Sequence, residues 1–139
     1  MRDFLPIDAH LPVDSQIPIE EYPGFLGVLL DGDLFMIDEL KFLQISKWHE
    51  YQNLIENSDD CIRILEVNIN GITVAISIEP SDDISFAIDG IPSVDVQLDI
   101  ANGAYAFFLK DGHTLEEVIH SLHSFDRAID IDIKRLQNI

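Results

Sequence analysis

Asn70-Gly71 stands between two runs, each about nine residues long, in which apolar and polar side chains alternate. Asparagine followed by glycine accepts the two left-handed positions of a type I′ turn, whose twist matches that of paired strands. A two-residue turn at this point sets the register of the hairpin. Ile69 meets Ile72, Val67 meets Val74 and Leu65 meets Ile76, all on one face. Glu66, Asn68, Thr73, Ala75, Ser77 and Glu79 fall on the other. Period and turn agree, so this stretch is committed to an antiparallel ribbon with one face buried.

Two further turn signals follow the same logic. Around Asp31-Gly32, Val28 faces Phe35, Leu26 faces Ile37 and Leu29 faces Leu34, so both faces are apolar and the hairpin is buried. With Asn102-Gly103 as a turn, Ile100 pairs with Tyr105, Leu98 with Phe107 and Val96 with Leu109. The outer face then carries Asp95, Gln97, Asp99, Ala106, Phe108 and Lys110, with Asp95 opposite Lys110. Ile84, Phe86 and Ile88 read as another strand ending at Asp89-Gly90, and Pro92 predicts a bulge or wider loop before the next one.

Helical spacing is confined to two places. Trp48, Tyr51, Leu54 and Ile55 form one apolar stripe over Ser46 to Asn57, preceded by an ambiguous stretch from Leu40 to Ile45. Thr114 and Glu117 form a capping box that opens a second helix, running to about Phe125 and burying Leu115, Val118, Ile119, Leu122 and Phe125. Beyond it Ile129, Ile131 and Ile133 alternate with Asp130, Asp132 and Lys134, the pattern of a final strand with a helical continuation as its rival. Pro6, Pro12, Pro18 and Pro23 forbid helix at the N-terminus, where interleaved Leu5, Ile7, Leu11, Val13, Ile17 and Ile19 predict an extended segment laid over the domain. The expected fold is α+β: a mainly antiparallel sheet of seven or eight strands, two helices and a proline-rich extended N-terminal segment, in a single domain over residues 1–139.

Charge enters here. The chain holds 26 acidic and 8 basic residues, a formal charge of −18, yet 47% of it is hydrophobic. That apolar content excludes disorder and places the charge on a folded surface. The acids are spread evenly, 14 in residues 1–70 and 12 in 71–139, so no acidic tail accounts for them. Eight scattered cations do not assemble a phosphate-reading stripe, which disfavours nucleic acid and anionic membranes as partners. Cys61 is the only cysteine, no apolar h-region follows Met1, and no run approaches membrane-spanning length. A cytoplasmic protein is expected.

Candidate chemistry is thin. Glu116, His120 and His123 share the outer face of the last helix at a spacing that suits a transition metal. A solvated polar face accounts for them better, because no further ligand cluster and no H-E-x-x-H motif accompanies them. Asp31, Asp33 and Asp38 around Gly32 fail the spacing of a calcium loop. Cys61, with His49 or His113 as a base, lacks any flanking signature and reads as a buried structural thiol. No carboxylate pair is set apart as a glycosidase pair would be, and no nucleotide-binding glycine loop occurs. No cofactor is expected, and the chain does not read as an enzyme.

What remains is the acidic surface. Asp82, Asp83 and Asp89 fall in connections, Asp95 and Asp99 share a sheet face, and Asp126, Asp130 and Asp132 make a second group near the C-terminus. Phe108, Trp48 or Tyr105, where exposed, would anchor a partner inside an acidic rim. The partner-binding expectation rests on Asp82, Asp83, Asp89, Asp95, Asp99 and Phe108. In size, acidity and architecture the whole chain resembles the bacterial immunity proteins that neutralise toxins of contact-dependent growth inhibition. The resemblance rests on no motif and carries over no residue. It implies a basic toxin domain as partner, often a nuclease, blocked by occlusion of its positively charged groove. Secretion chaperones and phage proteins that mimic nucleic acid are the alternatives. The former are helix-led, and the latter need carboxylates in phosphate-like rows.

Overall fold

The computed structural model describes residues 24–59, 61–99 and 103–138. The proline-rich N-terminal segment read from the sequence lies outside the described residues. A hairpin of β1 (Phe25–Leu30) and β2 (Asp33–Met36) leads through a 3-10 turn at Asp38–Leu40 into α1 (Ile45–Glu56). The ribbon of β3 (Arg63–Ile69) and β4 (Ile72–Ile78) follows, then α2 (Ile84–Asp89). A third hairpin, β5 (Val94–Asp99) and β6 (Ala104–Leu109), precedes the long C-terminal helix α3 (Leu115–Gln137). The strands form two antiparallel sheets, one ordered β2-β1-β6-β5 and the other β3-β4.

The architecture is α+β as expected, but the described residues hold six strands and three helices, not seven or eight strands and two helices. Both missing strands are helical. Ile84, Ala87, Ile88 and Ile91 recur at a spacing of three and four, and all are buried, while Phe86 points away from them. A strand would have put Ile84, Phe86 and Ile88 on one side; the helix keeps the two isoleucines together and expels the phenylalanine. At the C-terminus the helical rival prevails. Ile129, Ile133 and Leu136 extend the buried stripe of Val118, Leu122 and Phe125 along α3, leaving Ile131 exposed. Alternating isoleucines thus satisfy the helical period equally well, and the long-range packing of α3 on β3 and α1 decides. The capping box forms as read: the Glu117 backbone N–H donates to Thr114 Oγ1 at 3.3 Å.

Two of the three hairpin registers follow the turn chemistry. Asp31 and Gly32 have φ of 52° and 83°, Asn70 and Gly71 have 51° and 83°, and each pair closes a two-residue turn. The third is corrected. Leu98 pairs with Tyr105, Val96 with Phe107 and Asp95 with Phe108, two residues from the expected register, and the ladder runs to Asp99 and Ala104; Ile100 and Asn102 lie outside the described residues. A shift of two residues preserves which side chains share a face, so the main core still receives Val94 and Phe107. The opposite face is not the solvent face expected from the sequence. Ala104, Ala106 and Phe108 are buried there with Phe25 and Val28, in a second apolar cluster. At the β1–β2 crossing, a side chain on Gly27 would run into the Phe35 carbonyl and Met36, so only glycine fits.

The main core lies where α1 and α3 pack together and α3 covers β3. Trp48, Tyr51 and Phe125 are fully buried between them, with Trp48 ring-to-ring distances of 6.2 Å to Tyr51 and 6.3 Å to Phe125. One carboxylate is admitted among the described residues. Asp132, only 5% exposed, accepts hydrogen bonds from Tyr51 Oη at 2.7 Å and from Arg63 Nε at 2.8 Å. Burial alone would raise the pKa of Asp132, but Arg63 and Tyr51 hold it below the ordinary carboxylate value. Burial, and then the bond to Asp132, push the Tyr51 phenol up.

Candidate functional site

The segment from Pro80 to Gly90 leaves the β3–β4 ribbon and returns to β5 through α2. Its entry is braced from α1. The Gln52 side-chain amide donates to the carbonyl of Pro80 at 2.9 Å and to that of Asp82. Asp82 closes the turn, its carboxylate accepting from the Glu79 N–H at 2.9 Å and its own N–H donating to Glu79 O at 3.0 Å. With Ile84, Ala87 and Ile88 anchored in the core, α2 has a fixed rotation. Phe86 therefore faces solvent, 58% exposed, although it is a large apolar side chain.

Around Phe86 lies a cleft of about 310 Å³. Asp82, Asp83 and Asp89 line it from the α2 side, and Val96 and Tyr105 form its floor on the sheet. No cation pairs with these three carboxylates among the described residues. The result is an aromatic ring inside an acidic rim, with a half-buried tyrosine beneath it. A larger depression of about 630 Å³ beside β2 is lined by Leu34, Phe35 and Ile37. It gathers none of the carboxylates expected to bind a partner, and Asp38 on its wall is already paired with Lys41 at 2.7 Å.

The residues expected to bind a partner are thus divided. Asp82, Asp83 and Asp89 meet at the cleft. Asp95 does not join them, because Val96 beside it faces the cleft and strand alternation turns Asp95 to the other side of the sheet. There it stands 4.0 Å from Lys110, a loose form of the expected pair. Asp99 ends β5 opposite Ala104 in the ladder. Phe108 is only 9% exposed and makes an edge-to-face contact with Phe25 at 6.0 Å, so it serves the second core cluster and is not available as an anchor. Trp48 is buried likewise.

Phe86 is the residue that the sequence reading missed as an anchor. Its signal was present in the spacing of Ile84, Ala87, Ile88 and Ile91, which leaves position 86 off the stripe. The C-terminal acidic group is neutralised internally. Lys47 sits between Asp126 at 2.9 Å and Asp130 at 3.3 Å, and Asp132 is held by Arg63. Burial would lower the pKa of Lys47, but the two carboxylates raise it above its ordinary value.

The other candidates separate. Glu116, His120 and His123 are exposed on α3, with the His123 ring stacked on Phe42 at 3.8 Å. No group of three or more metal-ligating side chains comes together among the described residues. Cys61, expected to be buried, is exposed, because it precedes β3 and the pleat does not turn it inward. His113 is bonded to Glu117 at 2.8 Å, and this bond holds the Glu117 carboxyl below its usual range. No described helix is long and apolar enough to cross a membrane. Comparison with protein-family models, with curated proteins and with solved structures found no match.

Proposed function

We propose that this chain is a cytoplasmic, acidic binding protein that inhibits a basic protein partner in the manner of an immunity protein, the partner being a toxin domain such as a nuclease. The observation that carries this reading is the exposed Phe86 set among Asp82, Asp83 and Asp89, which have no cation of their own among the described residues. An unpaired acidic rim under a charge of −18 accelerates encounter with a basic surface and repels acidic ones. Once docked, the carboxylates stand where a nuclease groove would hold phosphates, and Phe86 fills an apolar pocket beside it. Inhibition is occlusion, and no catalytic step is invoked.

A low-salt pull-down from the native cell identifies the partner, and an inhibition assay with the recovered domain tests the role. Phe86→Ala is expected to speed dissociation, weakening the complex about 30-fold, or about 2 kcal/mol, as for a central aromatic anchor. Recovery of a secreted effector that this chain does not inhibit would favour a chaperone instead. A wild-type affinity retained by Phe86→Ala would remove the cleft from contention.

A further inference from the structure

Among the described residues the β3–β4 ribbon is a two-stranded sheet, so each of its strands has an edge with no described partner strand. Ile69 and Ile72 flank a two-residue turn and are therefore a hydrogen-bonded pair, as are Val67 with Val74 and Leu65 with Ile76. The alternate residues of β3, Ile64, Glu66 and Asn68, turn their backbone N–H and C=O groups outward. These groups have no backbone partner among the described residues. Beside this edge runs a groove of about 360 Å³, walled on its other side by Ala128, Ile131 and Arg135 of α3. Two of the largest exposed apolar side chains flank it, Ile64 at 66% and Ile131 at 45% exposure.

The other edges of the two sheets lack this character. The outer edge of β4 presents Thr73, Ala75 and Ser77 and ends at Glu79, beside the acidic cleft. Strand β2 is four residues long, and β5 abuts α2. Charge singles out the same place. Arg63 and Arg135 balance Glu66 and Asp132 at the β3 groove, and Arg127, Lys134 and Arg135 on this part of α3 are three of the chain's eight basic residues. On a surface of charge −18, this neutral stretch is where a second equally acidic molecule meets the least repulsion.

We infer that the β3 edge and the adjoining flank of α3 form a docking surface for a second copy of this chain. An antiparallel strand edge is self-complementary about a two-fold axis, the usual symmetry of small homo-oligomers. With Leu65 meeting its own counterpart at the axis, Ile64 lies opposite Glu66 of the other copy, and the outward backbone groups pair in both directions. This register avoids placing Glu66 against itself. The two ribbons become one four-stranded sheet, and the two α3 helices lie on the same face with their Ala128–Ile131 flanks turned toward each other. The surface is on the far side of the ribbon from α2, so the acidic cleft stays open in both copies, and the inference does not depend on the partner proposed for it.

Sedimentation of the full chain from low to high micromolar concentration tests this. The expected species at high concentration has about twice the 15.7 kDa chain mass, with slow hydrogen exchange at the Ile64, Glu66 and Asn68 amides. Ile131→Glu, on an exposed helix position, is expected to weaken self-association at least about tenfold with unchanged circular dichroism. Glu66→Pro removes an outward N–H that the β3–β4 ladder does not use, and is expected to do the same. A chain that sediments as a monomer throughout overturns the inference. So does a dimer that persists in both variants. A monomer whose β3 amides become protected only on adding a different protein also overturns it, and would assign the edge to that protein.

Discussion

Asp126, Asp130 and Asp132 on α3 each have a cation within reach, whereas Asp82, Asp83 and Asp89 around α2 have none among the described residues. The two groups look alike in the sequence. In the fold they do different work. The α3 group ties the C-terminal helix to α1 and β3 through Lys47 and Arg63, and Asp132 does so from inside the protein. In the α2 group Asp82 closes a local turn, while Asp83 and Asp89 contribute negative potential to the surface and have no cation among the described residues. A chain of this charge can therefore use part of its acid as internal structure and keep part of it facing solvent. Counting carboxylates cannot tell the two apart.

The largest expected effect is at Asp132. Asp132→Asn leaves the Arg63 guanidinium beside a neutral amide in a mostly buried site. Breaking a fully buried pair costs ~3–5 kcal/mol. Because Arg63 is still 23% exposed, a loss of about 2–3 kcal/mol is expected in chemical denaturation. The sign with pH follows from the lowered pKa of Asp132. Its contribution is complete above the unfolded carboxylate value of about 3.9 and is lost as pH falls through the lower folded value. Stability profiles of wild type and Asp132→Asn should therefore converge in acid. Parallel profiles down to the lowest pH would mean that the carboxylate charge is not what holds Arg63.

Next comes Lys47→Met, which leaves Asp126 and Asp130 facing each other across a lost cation. A destabilisation of about 0.5–1 kcal/mol is expected, shrinking with added salt. Salt-independence would mean that the short-range hydrogen bonds of Lys47 Nζ to Asp126 and Asp130 matter more than its screened charge. The smallest effect on stability belongs to the cleft. Replacing Asp83 and Asp89 together by asparagine should shift stability by no more than about 0.5 kcal/mol, with relief of repulsion favouring a gain. The same change should slow association with a basic partner and flatten its salt dependence. A large loss of stability there would erase the contrast between the two groups.

Local chemistry was enough for the parts of this protein that close on themselves. Asp31-Gly32 and Asn70-Gly71 each set a register because a two-residue turn and a period of two leave one solution, and Thr114 with Glu117 started α3 because both capping partners lie within one turn. The failures share a cause. Ile84 to Ile88 and Ile129 to Ile133 carry spacings that a strand and a helix both satisfy, and neighbours distant in sequence choose between them. Asn102-Gly103 carries the same dipeptide as the well-behaved hairpin, yet β6 also pairs with β1, and its ladder with β5 runs two residues from the expected register.

The site divides along the same line. That the surface would be acidic, and that Asp82 and Asp83 would lie in a connection, follows from charge and turn composition; Asp89 instead ends α2. That Phe86 stands among them, Phe108 is buried on the opposite sheet face and Asp132 is locked to Arg63 follows only from how α2, β6 and α3 rotate against the core. Rotation of an element is decided by the surface it packs on. That surface is assembled from residues far apart in the chain, so no window of sequence contains it.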